Sequence, residues 1–297
     1  MFSPIALFVY NRPWHTQQTI ESLAKNVLAN ESDLIIFSDG AKDEKQQQSV
    51  HTVREYLKEI NGFKSVRIIE SPVNRGLANS IISGVSKTFE QYDTLIILED
   101  DLITSPYFLT YMNDALRLYK NHDEVISIHG YIYPVIQQLP ETFFLKGADC
   151  WGWATWKRGW SLFEADGGKL LQEIQQKDLS REFSFNDTYP FTKMLKNQIK
   201  GKIDSWAIRW YASAFVKNKL TLYPGLSLVN NIGNDSSGTH GWNNVSFDSK
   251  INVAKINLTK IARIENPQAR QTIENYFIKS TPSLYQKIRY KLKMFKV

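Results

Sequence analysis

A strict alternation of short apolar runs with amphipathic or polar stretches fills the first 130 residues. Ile5 to Tyr10, Leu34 to Ser38, Val66 to Ile69, Thr94 to Leu98 and Val125 to His129 read as strands. Between them, helices are expected over Thr16 to Leu28, from about Glu44 to Ile60, over Leu77 to Phe89 and over Tyr107 to Tyr119. Such runs, rich in Ile, Leu and Val and lacking polar alternation, suit strands buried on both faces. Strands alternating with helices then predict an α/β fold with a mostly parallel sheet covered on both sides.

The rhythm stops after Tyr131. A Trp-rich segment follows (Trp151, Trp153, Trp156, Trp160), then a Gly167-Gly168 break and a helical run from Ser205 to Val216. Leu220 to Tyr223 reads as a strand, and Asn230 to Asn244 as a loop rich in Gly, Asn and Ser. No internal repeat is present. We divide the chain into a ligand-binding half at 1–130, a second half at 131–250 and a C-terminal segment at 251–297.

In an open parallel sheet, ligands bind outside the carboxyl ends of the strands. Polar residues gather where those ends should be: Tyr10-Asn11-Arg12 after the first strand, Asp39-Gly40 after the second, and Asn74-Arg75-Gly76 with Asn79 after the third. The fourth ends in Glu99-Asp100-Asp101. An Asp can accept the imide N–H of a uracil, and an Arg can pair with a diphosphate. Gly76 before a helix lets the backbone approach a ligand, and that helix start favours anions. Adjacent carboxylates repel unless a cation neutralises them. Mg²⁺ or Mn²⁺ takes oxygen ligands of this kind and bridges them to a substrate diphosphate. The competing reading is an acidic turn ahead of the helix near Pro106, with Asp39, Asn11 and Asn79 as turn or cap residues.

Net charge is +6, but Lys287, Arg289, Lys291, Lys293 and Lys296 crowd the last 15 residues; without these five the body carries +1. A nucleic-acid binder is expected to carry its basic footprint on the folded body, so no nucleic-acid partner is expected. Leu284, Ile288, Leu292 and Phe295 recur at helical spacing among those basic residues. The pattern predicts a helix lying on an anionic membrane surface, or one docked on its own domain. The single cysteine, Cys150, precludes an internal disulfide and suits a reducing cytoplasm. No secretory signal and no apolar run near the roughly 20 residues of a membrane span is visible. The expected location is therefore cytoplasmic, peripheral at the inner face of the cell membrane.

The segments Phe8-Val9-Tyr10-Asn11-Arg12-Pro13, Asp39-Gly40, Asn74-Arg75-Gly76 and Leu98-Glu99-Asp100-Asp101-Leu102 resemble those of GT-A glycosyltransferases. More narrowly, they resemble N-acetylglucosaminyltransferase I and related bacterial enzymes of surface-polysaccharide synthesis. The likeness is good over residues 4 to 130 and loose beyond. It implies a GT-A fold, an inverting transferase with a UDP-sugar donor, and Mn²⁺ or Mg²⁺ held by Asp101. Glu99 and Asp100 would then touch the donor sugar and ribose, and the acceptor would be a glycan or lipid-linked sugar.

The family carries its catalytic base in an aromatic-flanked acidic segment of the second half. Ile203-Asp204-Ser205-Trp206 is the counterpart here, which makes Asp204 the candidate, although it is equally a plausible N-cap. Asp149 and Glu164 are weaker competitors. The Trp spacings suggest a helical core stripe, while the resemblance places Gly152 and Trp153 on an acceptor wall. His240, in the late loop, is expected to reach the diphosphate or the metal, and His129 to be a satisfied structural histidine. Two alternatives are a sugar nucleotidylyltransferase, which expects a Gly-rich basic loop after the first strand, and a catalytically inactive carbohydrate-binding relative.

Overall fold

In a computed structural model, residues 2–235 and 247–280 are described. Strand β1 (Ile5–Val9) is followed by helix α1 (Pro13–Ala24), β2 (Asp33–Ser38), α2 (Glu44–Leu57), β3 (Ser65–Glu70), α3 (Leu77–Thr88) and β4 (Thr94–Glu99). A short β5 (Leu102–Thr104), α4 (Phe108–Leu118), β6 (Val125–His129) and β7 (Thr142–Lys146) come next. Strand β8 (Trp153–Trp156) leads into α5 (Lys157–Trp160), α6 (Gly167–Gln176), α7 (Ser180–Phe183), α8 (Phe191–Ile199) and α9 (Trp206–Val216). Strands β9 (Leu220–Pro224) and β10 (Val229–Asn231) and helix α10 (Pro267–Ser280) complete the described chain.

Eight strands form one sheet in the order β3-β2-β1-β4-β8-β6-β9-β7. The first four are parallel neighbours. Strand β8 runs antiparallel between β4 and β6, and β9 is parallel to β6. This is the mostly parallel, helix-covered GT-A architecture that the sequence predicts. The two halves share a single sheet, because β8 inserts beside β4.

Side-chain alternation along the strands shows why the runs lack polar residues. Ile5, Leu7, Ile96 and Leu98 face a core closed by Ile20 and Leu23 of α1, Val53 of α2 and Leu109 of α4. Ala6, Phe8, Leu95 and Ile97 face the opposite core, closed by Ile81 and Val85 of α3 and by Trp206 and Trp210 of α9. Helix α9 also turns Ile208, Tyr211 and Phe215 toward a third cluster with α6, α8 and α10. It is therefore buried on nearly all sides, as an unusually apolar helix must be.

The tryptophans correct the expected helical stripe. Trp153 and Trp156 lie on strand β8, and their odd spacing sends them to opposite faces of the sheet. Trp153 is fully buried and stacks on Trp206 at 5.6 Å between ring centroids. A sugar cannot reach that ring, so the acceptor-wall role assigned to Trp153 falls away. The late loop also starts later than expected, since Val229–Asn231 pairs as β10 with β5.

Candidate active site

The order β2-β1-β4 reverses the chain's direction of travel across the sheet between β1 and β4. Such a switch point leaves a crevice at the strands' carboxyl ends. Arg12 enters it from the β1–α1 turn, and Asp100 and Asp101 from the turn after β4. Nη2 of Arg12 donates to Oδ1 of Asp100 and, at 2.8 Å, to Oδ2 of Asp101. Oδ2 of Asp100 also accepts the Tyr10 backbone N–H at 3.3 Å, tying the ends of β1 and β4 together.

Charge here is held out of water. Burial pushes the Glu99 carboxyl up to about 8, and the negative charges of Asp101 and Asp100 act in the same direction. Arg12 and a hydrogen bond from the Trp206 side chain oppose that shift. The Asp100 carboxyl is raised as well, because its burial outweighs the pull of Arg12. Burial works against the Arg12 charge too, but the two carboxylates more than offset it and its pKa rises.

The donor set suits the divalent metal that the sequence leads one to expect. Asp100 and Asp101 supply hard carboxylate oxygens at the crevice, the chemistry Mg²⁺ or Mn²⁺ prefers. A divalent ion takes one or two such groups and completes its shell with water and substrate phosphate, so the residues fit. The described residues contain no cluster of three or more acidic, His or Cys side chains able to hold a metal unaided. The guanidinium now across the two carboxylates provides the positive charge that a metal would bring.

Asp39 is engaged within the protein. Its Oδ1 accepts the N–H groups of Gly40 (2.9 Å) and Arg75 (2.9 Å), and its Oδ2 those of Gly76 (3.0 Å) and Arg75 (3.1 Å). Asn74 Nδ2 adds a longer contact at 3.3 Å. These donors use the carboxylate's acceptor capacity, so reading a uracil imide with this side chain loses its support. What Asp39 does is hold the Asn74–Gly76 turn against the end of β2. That turn ends at Gly76, whose φ of 76° favours glycine, and opens α3 at the crevice. Arg75 extends an exposed side chain there. The Asn79 amide donates to the Arg75 carbonyl at 3.0 Å, closing the first turn of α3.

Tyr10 is also committed: its hydroxyl donates to Gln46 and accepts the Lys42 N–H at 3.0 Å, anchoring the start of α2. Asn11 is half-buried in the turn between β1 and α1.

Asp204 reaches the same region from the second half. Its Oδ2 lies 3.7 Å from the point where a Cβ on Gly76 would stand, above the start of α3. The cap of α9 is Ser205, whose Oγ accepts the Ile208 N–H at 3.3 Å. The cap role thus belongs to the neighbour. Asp204 is left 65% exposed with Arg209 at 4.0 Å, free to meet a ligand. Glu164, by contrast, accepts the Asp166 N–H at 2.8 Å.

Three contributors escaped the sequence reading. Trp206 bonds Glu99 while stacking on Trp153, so it couples the end of β4 to the Asp204 segment. Gly233 passes so close to the acids that a Cβ there would stand 2.1 Å from Asp101 Oδ2 and 2.9 Å from Arg12 Nη1. The Ile232 N–H reinforces this approach by donating to the Asp101 carbonyl at 2.9 Å. Arg54 of α2 donates to the Ser71 carbonyl at 2.8 Å and to the Asp39 carbonyl at 3.3 Å, bracing the turn from below. Arg54 carries no local sequence signal, whereas Trp206 is the aromatic flank of the Asp204 segment and Gly233 sits in the Gly-rich loop. His240 and the basic tail lie outside the described residues. Gly152 is buried at the start of β8, its carbonyl accepting the Gly130 N–H at 2.7 Å. It thus shapes the end of the sheet.

No curated protein sequence matches the chain. Among solved structures, it is similar to a mannosyltransferase from Pyrobaculum calidifontis in complex with GDP-Man and Mn²⁺. That similarity has 11% identity over 45% of this chain and 36% of the other, with a TM-score of 0.33. It is also similar to residues 1–349 of S. aureus TarS, at 12% identity over 74% of this chain and 60% of the other, with a TM-score of 0.38. The chain therefore spans less than two thirds of each of these. The family description "Glycosyl transferase family 2" matches residues 5–158, from the first residue of β1 to just past β8. The matched region holds the switch-point crevice with Arg12, Asp100 and Asp101, and the match covers more than half of the sequence. The chain belongs to glycosyl transferase family 2.

Proposed function

We propose that the protein is an inverting, metal-dependent glycosyltransferase. It moves a sugar from a nucleoside diphosphate sugar to a glycan or lipid-linked acceptor in bacterial surface-polysaccharide synthesis. The observation that carries this reading is the Arg12 guanidinium held across Asp100 and Asp101 at the switch point of the sheet. A buried acidic pair and a guanidinium at one crevice are what a diphosphate and its counter-ion need. Residues 1–130 would bind the donor and 131–250 the acceptor.

In this reading Asp101 would hold the divalent ion, with Asp100 beside it; when bound, the ion would neutralise the diphosphate. Arg12, released from the acids, pairs with a phosphate oxygen, and Arg75 with the start of α3 receives the remaining negative charge. Glu99, which is hydrogen-bonded to Trp206, faces the sugar. Asp204 takes the proton from an acceptor hydroxyl as its oxygen attacks the anomeric carbon. The carbon–oxygen bond to the diphosphate breaks on the opposite side, the nucleoside diphosphate leaves, and the anomeric configuration inverts.

A UDP-sugar is the first donor to test, on the family likeness alone now that Asp39 is committed to the protein. A nucleotidylyltransferase is disfavoured because Tyr10-Asn11-Arg12-Pro13 passes directly into α1, with proline in its first turn and no Gly-rich phosphate loop. Among the described residues no helix is long and apolar enough to cross a membrane; attachment at the inner face would fall to the basic tail. The deciding experiment screens nucleotide sugars with Mn²⁺ for thermal stabilisation, which needs no acceptor. Stabilisation by one nucleotide family, lost on chelation, is expected. If no nucleotide sugar shifts the melting temperature, the proposal fails.

A further inference from the structure

The segment 147–151 carries the chain back across the sheet, from the end of β7 beside the start of β9 to the start of β8 beside the end of β6. Gly147 donates to the Lys219 carbonyl at one edge, and Gly152 accepts from Gly130 at the other. On that crossing stands Asp149, a carboxylate that the donor chemistry does not use. Its Oδ2 accepts the Tyr223 hydroxyl at 2.9 Å and the Tyr133 hydroxyl at 3.5 Å. Among the described residues no donor is bonded to its Oδ1.

The surroundings are aromatic and only partly closed. Tyr133, Trp151 and Tyr189 are each half-buried, and Phe247 packs against both Trp151 and Tyr133, at 5.7 and 6.0 Å between ring centroids. Trp151 is held in place twice, since its ring packs edge-on to Tyr131 at 4.7 Å and its backbone N–H donates to His129 Nε2 at 3.1 Å. Burial lowers the His129 pKa to about 3, which keeps the imidazole neutral and able to accept. His129 in turn packs edge-on to Tyr223 at 5.0 Å. One buried histidine thus positions both a wall residue of the recess and the tyrosine that orients Asp149.

The recess adjoins the crevice. Cys150, next to Asp149, has its thiol pushed up first by burial and then by the charges of Glu99, Asp149 and Asp101. The sheet register agrees: Trp153 pairs with Ile97 of β4, so the segment ending at Trp151 leaves the sheet beside the Glu99 end of that strand. A carboxylate with one oxygen tied to tyrosine hydroxyls and the other open is an acceptor-only group. Set among flat rings, it matches a ligand with hydroxyl donors on its rim and C–H groups on its faces. That ligand class is a hexose.

We propose that the recess of Asp149, Tyr133, Trp151 and Tyr189 is the subsite for the acceptor sugar, with Asp149 Oδ1 accepting a hydroxyl of that sugar. The inference rests on the glycosyltransferase reading and deepens it. It moves acceptor recognition from the buried Trp153 to Trp151, two residues earlier. Asp149 is here a binding group, while proton removal stays with Asp204.

The test uses methyl glycosides of glucose, galactose, mannose and N-acetylglucosamine as probes. Their saturation-transfer NMR signals are recorded on the full chain with UDP and Mn²⁺ present. At least one probe should give signals concentrated on its ring C–H protons. Trp151→Leu and Asp149→Asn should each weaken its binding roughly tenfold or more. UDP–Mn²⁺ affinity, measured on the same variants by calorimetry, should stay within about twofold of the original. Loss of thermal melting cooperativity in Trp151→Leu would move that arm to Trp151→Phe, which keeps the core contacts. If no probe binds, or if binding survives both substitutions, the subsite is wrong. A failure of the donor reading would show separately, as absent UDP–Mn²⁺ binding by the unaltered protein.

Discussion

A single nitrogen, Arg12 Nη2, donates to both Asp100 and Asp101, so one guanidinium neutralises two carboxylates across the seam between β1 and β4. The three side chains are only 18%, 8% and 15% exposed, and the acids would repel one another without it. Arg12→Gln should therefore destabilise the ligand-free chain by about 3 kcal/mol, the scale for breaking a buried charged contact. Because Arg12 also competes with a cation for the same oxygens, Mn²⁺ should raise the melting temperature of Arg12→Gln more than that of the original protein. Calorimetric melts with and without Mn²⁺ measure both effects, and an equal or smaller Mn²⁺ shift in the variant would remove the competition.

Asp101→Ala tests the metal role directly. Mn²⁺-dependent UDP binding should be lost while the fold is retained, since Asp101 contributes no core packing. Unchanged UDP affinity, with and without chelator, would take Asp101 out of the metal site.

Asp204→Asn separates base from cap. Ser205 makes the α9 cap, so the change at 204 should leave stability nearly untouched. Turnover should fall by roughly 10²-fold or more, the usual scale for losing a general base. Ser205→Ala is the complement, expected to cost about 1 kcal/mol of stability. Turnover of Asp204→Asn within a few-fold of the original would transfer the base role elsewhere, with Asp149 next in line.

Gly233→Ala would drive a methyl into Asp101 and Arg12. Overpacking of this kind costs about 1–3 kcal/mol, and here the strain falls on the acidic pair itself. Mn²⁺-dependent nucleotide binding should weaken more than overall stability does. Calorimetry on the variant decides it, and intact binding would mean that the segment yields freely.

Asp149 supplies a pH prediction. Burial raises its carboxyl from 3.8 to about 6, against the Tyr223 and Tyr133 hydrogen bonds. The folded chain therefore binds this proton more tightly than the unfolded one. The resulting stabilisation is complete below the unfolded value and is lost as pH rises through about 6. Asp149→Asn keeps an acceptor for Tyr223 but does not titrate. Its melting temperature relative to the original should rise between pH 5 and pH 7.5. A gap that stays constant over that range would show that the carboxylate is not perturbed.

The tail gives a prediction about attachment. Each basic residue near an anionic surface is worth about 1 kcal/mol and is screened by salt. Deleting residues 283–297 should release the protein from anionic vesicles without altering nucleotide binding. Failure of the full chain to co-sediment at low salt would leave the tail without a membrane role.

Local hydrophobic pattern is enough to specify the parallel core and the sheet edge at which the polar residues gather. Apolar runs such as Thr94–Leu98 bury side chains on both faces, and that requirement is written in local composition. It also placed Arg12, Arg75, Gly76, Glu99, Asp100 and Asp101 at strand ends, because a period switching from strand to helix locates the turn between them. What it could not decide were relationships between residues far apart in the chain. Whether Asp39 was open to a base or spent on the Asn74–Gly76 amides depended on how the β2 and β3 ends pack. Whether Trp153 lined a cleft or a core depended on β8 inserting antiparallel beside β4, which the helix-like spacing of the tryptophans obscured. Gly233 over Asp101, Trp206 on Glu99 and Tyr223 on Asp149 join segments 74 to 132 residues apart. Such contacts follow from sheet order and helix packing, which no local pattern encodes.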